Sequence, residues 1–219
     1  MSYELYTIAG APRPWRALLG LIAKGIPYTP HLLEASSKQH KAPAFLALNA
    51  RGRVPVLVHG DFVLSESIAI LAYLDRVQPE PPLFGRTPEQ CARVWEQVMA
   101  ADHHLREATQ GVVGPLLGLR EPVSEAASSE AGAKLREELA RLEARLGRSA
   151  FLCGDALSAA DCVAFPDVRL TVRTSVRFPD VMARLGLSPL SEVFPRLASW
   201  VSRIEALPGY EQTFPAHWR

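Results

Sequence analysis

The stretch Gly52-Arg53-Val54-Pro55-Val56-Leu57-Val58-His59-Gly60-Asp61-Phe62-Val63-Leu64-Ser65-Glu66-Ser67-Ile68 decides how the first third of this chain folds. Its β-branched and apolar residues predict two strands, Val54 to Val58 and Phe62 to Leu64, with the reversal at His59-Gly60-Asp61 supplied by residues that tolerate a tight turn. A helix through Ser67, Ile68, Ile70, Leu71 and Leu74 follows, and Ser65 stands where a hydroxyl caps such a helix. Working towards the N-terminus, Ala44 to Leu48 reads as a short helix and Tyr28 to Leu33 as a strand. Trp15 to Lys24 reads as a helix stopped by Gly25 and Pro27, and Glu4 to Ile8 as the first strand. The opening strand–helix–strand unit predicts a parallel pair.

Past Gln78 the grammar changes. Pro79-Glu80-Pro81-Pro82-Leu83-Phe84-Gly85-Arg86-Thr87-Pro88 carries four prolines and predicts a linker, since neither a helix nor a central strand tolerates them. From Glu89 onward the periodicity is helical, with helices expected near 89–118, 130–147, 158–173, 180–186 and 193–206. Residues 1–78 are thus one expected domain, 79–88 a linker and 89–219 an all-helical domain. Glu137, Arg141, Glu143 and Arg145 predict a solvated, charge-laced helix face. Ser158-Ala159-Ala160-Asp161 is a capping box that would satisfy orphan N–H groups at the start of a buried helix.

Composition narrows the function classes. With 219 residues, 48% of them hydrophobic and 21% charged, the chain can bury one large core or two small ones, which excludes disorder, collagen and a stapled mini-protein. Lysine and arginine number 24 against 23 acids, a net charge of +1, so no global positive field exists to hold nucleic acid or an anionic membrane. Cys91, Cys153 and Cys162 form no CxxC or CxxH pair, which argues against a disulfide framework or a zinc site and for a reducing cytoplasm. The start MSYELYTIAG lacks the pattern of a signal peptide, and no run of about 18 apolar residues occurs. Neither secretion nor a membrane span is expected. The adjacent His103 and His104 point in different directions on a helix and make no metal site.

The order β-α-β-α-β-β-α in the first domain is that of a thioredoxin-like fold, and the motifs go further. Ala44-Phe45-Leu46-Ala47-Leu48-Asn49 leading to Gly52-Arg53-Val54-Pro55-Val56-Leu57, then Gly60 to Ile70 with Tyr73-Leu74, then Ser158 to Asp161, then Phe194 to Trp200 through Leu207-Pro208, follow one another in this order. Over essentially its whole length the chain resembles the cytosolic glutathione transferase family, most closely the theta-type and related bacterial members. The resemblance implies a thioredoxin-like N-terminal domain, an all-helical C-terminal domain, a homodimer, glutathione as co-substrate, a small hydrophobic electrophile, and no metal.

Glutathione brings two carboxylates, an ammonium and a thiol. The resemblance implies a cis bond before Pro55, with the N–H and C=O of Val54 turned outward to pair with the cysteinyl part of the peptide. It places Glu66 and Ser67 at a helix start, where free N–H groups and the dipole favour an anion; Ser67 takes the γ-glutamyl carboxylate and Glu66 the ammonium. His40 and Arg53 pair with the glycyl carboxylate, Lys41 being a weaker substitute. The first long helix of the second domain offers Met99, Asp102, His103 and Arg106 to the electrophile, together with Ala11 and Pro12 of the first loop; an Asp102–Arg106 pair at i, i+4 is the structural alternative.

One family feature is absent. A thiol with a pKa of about 8.5 is only slightly ionised at neutral pH, and lowering that value by about 2 units takes about 2.7 kcal/mol of preference for the anion. Relatives supply this with a Ser, Cys or Tyr near the end of the first strand. Here the loop reads Ala9-Gly10-Ala11-Pro12-Arg13-Pro14-Trp15-Arg16, and Ala11 occupies the expected serine position. Tyr6, Thr7, Arg13 and the backbone N–H groups near Trp15 are the substitutes open to it. The alternative is a glutathione-binding or interaction protein of the same fold with weak or no transferase activity. A glutathione-dependent reductase or peroxidase is disfavoured, because these use a cysteine at the first-loop position and all three cysteines lie in the second half.

Overall fold

The computed structural model describes residues 2–218. The chain divides into two compact units, one comprising residues 2–84 with 207–218 and the other residues 85–206. The first contains β1 (Tyr3–Thr7), α1 (Pro12–Ala23), β2 (Tyr28–Leu32), α2 (Pro43–Leu48), β3 (Val56–His59), β4 (Phe62–Ser65) and α3 (Ser67–Val77). The strand order is β2-β1-β3-β4; β1 and β2 are parallel, and the other two pairings are antiparallel. The mixed four-stranded sheet and the helical second unit give the expected fold class.

Register places the functional loops. Tyr6 is opposite both His31 of β2 and Val56 of β3, and Val56 is opposite Ser65 of β4. The ends of β1, β2 and β4 and the beginning of β3 therefore meet at one edge of the sheet, the position where open α/β sheets hold ligands. Leu5 and Leu57 are fully buried, as are Ile70, Leu71 and Leu74 of α3. Gly20 of α1 lies so close to α3 that a Cβ there would fall 2.3 Å from Leu71 Cδ2. A larger residue at position 20 would force the buried Leu71 side chain to move.

The proline-rich segment is not a loose tether. Lys24 at the end of α1 is buried and donates to the Asp75 carboxylate and to the Pro81 carbonyl. Asp75 also accepts from the Leu83 N–H at 2.7 Å, and Leu83 and Phe84 are buried. The first unit accordingly extends to residue 84, beyond the expected 78. It also includes the closing segment, expected to continue the helical domain: α11 (Tyr210–Thr213) and a short 3₁₀ turn (Ala216–Trp218) pack around Trp15. An indole with a polar edge and a wide apolar face holds such a returning segment at both ends.

The second unit contains α4 (Pro88–Ala100), α5 (Arg106–Leu116), α6 (Glu125–Leu146), α7 (Ala159–Arg177), α8 (Pro179–Arg184), α9 (Leu190–Val193) and α10 (Pro195–Glu205). Between α4 and α5 the single helix expected over 89–118 passes through a π turn at Ala101–Leu105. The Thr87 capping box starts α4. At α7 the buried Asp161 carboxylate accepts from the Ser158 N–H (2.9 Å) and hydroxyl (2.7 Å), from the Leu152 N–H (2.9 Å) and from Trp200 Nε1 (2.8 Å). The expected charge-laced face is exposed at Glu137 and Arg141, which pair at 2.5 Å. Glu143 departs from it: its carboxylate turns inward and accepts from the Arg196 and Leu197 N–H groups, capping α10. Among the described residues no helix is long and apolar enough to cross a membrane.

Candidate functional site

At the β3 side of the sheet edge, the Val54–Pro55 bond is cis and β3 begins only at Val56. Val54 is thus outside the ladder, its N–H and C=O unpaired among the described residues. Gly52 has φ +56°, and a Cβ there would lie 2.8 Å from the His40 carbonyl. This contact sets the 3₁₀ turn Gln39–Lys41 against the segment leading to Arg53 and Val54. Lys41 Nζ donates to the carbonyls of Arg51 (3.2 Å) and Gly52 (2.9 Å), so it braces this turn. His40 Nδ1 is buried with no hydrogen-bond partner among the described residues, an arrangement that needs a partner from elsewhere. Arg53 is exposed.

The start of α3 differs from the expectation at Ser65. That residue ends β4, and the N-cap is Glu66, held at φ +73° with no side-chain cap. A positive φ is costly for glutamate and clusters at ligand sites. The first N–H groups of α3 are left for an anion, and Ser67 is 4% exposed beside them.

The loop after β1 provides few donors. Ala11 is the N-cap of α1 and has no side chain to contribute, and its own N–H donates to Ile8 O. Pro12 and Pro14 have no N–H, and the Trp15 N–H is spent on Ala11 O at 3.3 Å. The Arg13 N–H is the remaining first-turn donor, which narrows the helix-start candidates from a group to one. Tyr6 stacks on His31 at 4.5 Å and leans on Phe45 at 5.8 Å, while His31 contacts Glu4 at 2.6 Å. Leu5 and Thr7, its neighbours along β1, point to the other face.

Alongside this loop runs a cleft of about 700 Å³, formed within the first unit by Thr7–Ala11, Trp15, Leu18, Tyr28, residues 30 and 32–35, and Gln212–His217. Most of the lining is aliphatic, aromatic or proline. Burial raises the Tyr28 phenol above its ordinary value, whereas hydrogen bonds from Ser36 hold the Glu34 carboxyl below the usual range. The contribution of residues 212–217 was not foreseen from the sequence; the aromatic spacing of Tyr210, Phe214 and Trp218 around Trp15 was the available signal.

The remaining candidates belong to the second unit. Met99 and His103 are exposed, and Asp102 is half-buried. Arg106 donates to the buried Asp167 of α7 at 3.1 Å, a partner outside the i, i+4 reading. Among the described residues no cluster of histidine, cysteine and acids could hold a metal. Burial pushes the Cys153 thiol up to about 11, which lowers its thiolate fraction at neutral pH.

A mixed sheet with a cis-proline loop and an uncapped helix start at one edge, followed by a separate helical unit, defines a protein of the thioredoxin-like class with a helical second unit. Residues 1–76 match the glutathione S-transferase N-terminal domain, and residues 125–203 match the C-terminal domain of the same family. Glutathione S-transferase F9 of Arabidopsis thaliana is 30% identical over 216 residues, covering 93% of this chain and 94% of that protein. Glutathione S-transferase theta-2 of Homo sapiens is 33% identical over 226 residues, covering 99% and 86%. A crystal structure of a glutathione S-transferase from the Antarctic clam Laternula elliptica superposes with a TM-score of 0.85 at 27% identity, covering 100% of this chain and 94% of that one. The chain belongs to the glutathione S-transferase family.

Proposed function

We propose that this protein is a glutathione transferase that joins the glutathione thiol to small, mostly apolar electrophiles, acting as a homodimer in the cytoplasm. The observation that carries the reading is the convergence at one sheet edge of the unpaired Val54 backbone, the uncapped start of α3 and the apolar cleft beside Ala11. In this pose the cysteinyl backbone pairs with Val54 next to Pro55. The γ-glutamyl carboxylate sits on Ser67 and the α3 N–H groups, the ammonium on Glu66, and the glycyl carboxylate on His40 and Arg53. The thiol lies over Ala11, with the Arg13 N–H and guanidinium as anion donors. The electrophile enters against Ala11, Pro12 and the apolar lining.

Family relatives named as transferases support catalysis over the reading as a non-catalytic binding protein. Calorimetric titration with glutathione tests the pose: Ser67→Ala and Glu66→Ala should each weaken binding by about 1–3 kcal/mol and leave melting nearly unchanged. Equal melting losses with intact affinity would reduce both residues to structural roles. Light scattering at micromolar concentration should give a dimer mass; near-zero net charge does not oppose self-association. A monomer mass would refute that part.

A further inference from the structure

We propose that His217, carried into the cleft by the closing segment, is the proton acceptor for the glutathione thiol; this rests on the transferase reading above. The first loop supplies donors that can stabilise a thiolate but no group that accepts its proton near neutral pH. Ala11 has no hydroxyl, and Arg13 offers an N–H and a permanent cation. The Thr7 hydroxyl does not titrate in this range, and Tyr6 is stacked against His31. His217 is the one histidine among the residues lining the cleft that Ala11 also lines. Imidazole is the side chain whose unperturbed pKa, about 6.5, suits proton transfer at neutral pH.

His217 is exposed, and the backbone that carries it is held on both sides. Trp15 Nε1 donates to Thr213 Oγ1 at 2.9 Å, and that hydroxyl donates to Tyr210 O at 2.8 Å. The Trp218 N–H closes the final turn onto Pro215 O at 2.9 Å, and the Trp15 and Trp218 rings meet edge to face at 5.3 Å. Trp218 lies so close to Gly10 that a Cβ there would be 2.9 Å from its Nε1. The short turn bearing His217 is therefore seated directly on the loop that ends at Ala11.

Two titratable groups line the cleft together with His217. From β2 comes Tyr28, whose phenol stays neutral, and from the loop after β2 comes Glu34, ionised at neutral pH. α1 and α11 contribute Trp15, Leu18, Gln212 and Thr213, none of which titrates near neutrality. In the step itself, a ring nitrogen of neutral His217 takes the thiol proton. The sulfur then forms the carbon–sulfur bond as the leaving group, for example chloride, departs with its bonding pair. The imidazolium returns the proton to water.

The test compares the full-length protein with His217→Gln and His217→Gly. It follows the ultraviolet thiolate absorbance of bound glutathione and kcat/KM for an aryl chloride across pH, with affinity from calorimetry. For His217→Gln we expect affinity within about two-fold of the parent and a loss of about a hundred-fold in kcat/KM at neutral pH. The loss should shrink as pH rises past the free-thiol value of about 8.5. Added imidazole should restore turnover in His217→Gly. Superimposable pH profiles for the parent and His217→Gln, in a parent that binds and conjugates glutathione, would overturn the assignment alone. A parent with no glutathione affinity would overturn the transferase reading and this proposal together.

Discussion

Replacing Asp161 by alanine should damage folding without touching chemistry, and the structure sets the size of the effect. The carboxylate is fully buried and accepts four hydrogen bonds, from the Leu152 N–H, the Ser158 N–H and hydroxyl, and Trp200 Nε1. Burial pushes its carboxyl above the ordinary range while these donors pull it down. Alanine removes every acceptor at once. The Ser158 hydroxyl can rotate to another partner, but three N–H donors are left buried, each costing about 1–3 kcal/mol. Partial relaxation brings the sum to about 3–6 kcal/mol, which in a chain of this size lowers Tm by roughly 6–24 °C. Asp161→Asn keeps an oxygen for Leu152 and Trp200 but turns an NH₂ towards the Ser158 N–H, costing about 1–3 kcal/mol. Thermal melts and urea titrations of the three proteins measure both steps. The fraction that stays folded at low temperature should bind glutathione with parental affinity. An Asp161→Ala protein melting within about 2 °C of the parent would refute the reasoning.

Ala11→Ser should lower the pKa of bound glutathione and raise turnover with an aryl chloride roughly ten- to a hundred-fold, since one restored donor to an anion contributes about 1.5–3 kcal/mol. Tyr6→Phe should matter little, because Tyr6 is held on the other sheet face against His31 and Phe45. A large rate loss in Tyr6→Phe with no gain in Ala11→Ser would move the thiolate to the tyrosine. Cys153, with its thiol pushed up to about 11, should be about 200-fold slower than a free thiol towards iodoacetamide at about pH 8. Because the thiolate alone reacts, its rate in a Cys91→Ser background should climb about tenfold per pH unit until the pH approaches that value. A free-thiol rate at pH 8 would show that the buried environment is wrong.

The elements of the first domain were legible because their signals are local. The alternation over Val56–His59 and Phe62–Ser65, the glycine–aspartate turn and the apolar spacing of α3 each fix a few neighbouring residues. Glu66 was legible as a candidate site residue through resemblance, but not its φ of +73°, which runs against the preference of glutamate. The π turn at Ala101–Leu105 was hidden because one inserted residue barely disturbs an apolar stripe. Arg106 pairs across 61 residues with Asp167, and Trp15 is bonded across 198 residues by Thr213. Such long-range partners leave no periodic trace. The same reason kept residues 212–217 out of the expected site.

The central claim is that glutathione lies along the sheet edge with its sulfur over Ala11 and its γ-glutamyl end on α3. A crystal structure with glutathione bound tests it most directly. The account predicts the γ-glutamyl carboxylate on Ser67, the cysteinyl backbone paired with Val54, and the sulfur within about 3.5 Å of the Arg13 N–H or the His217 ring. A sulfur held by the Tyr6 hydroxyl, or glutathione seated away from Val54 and Ser67, would contradict it.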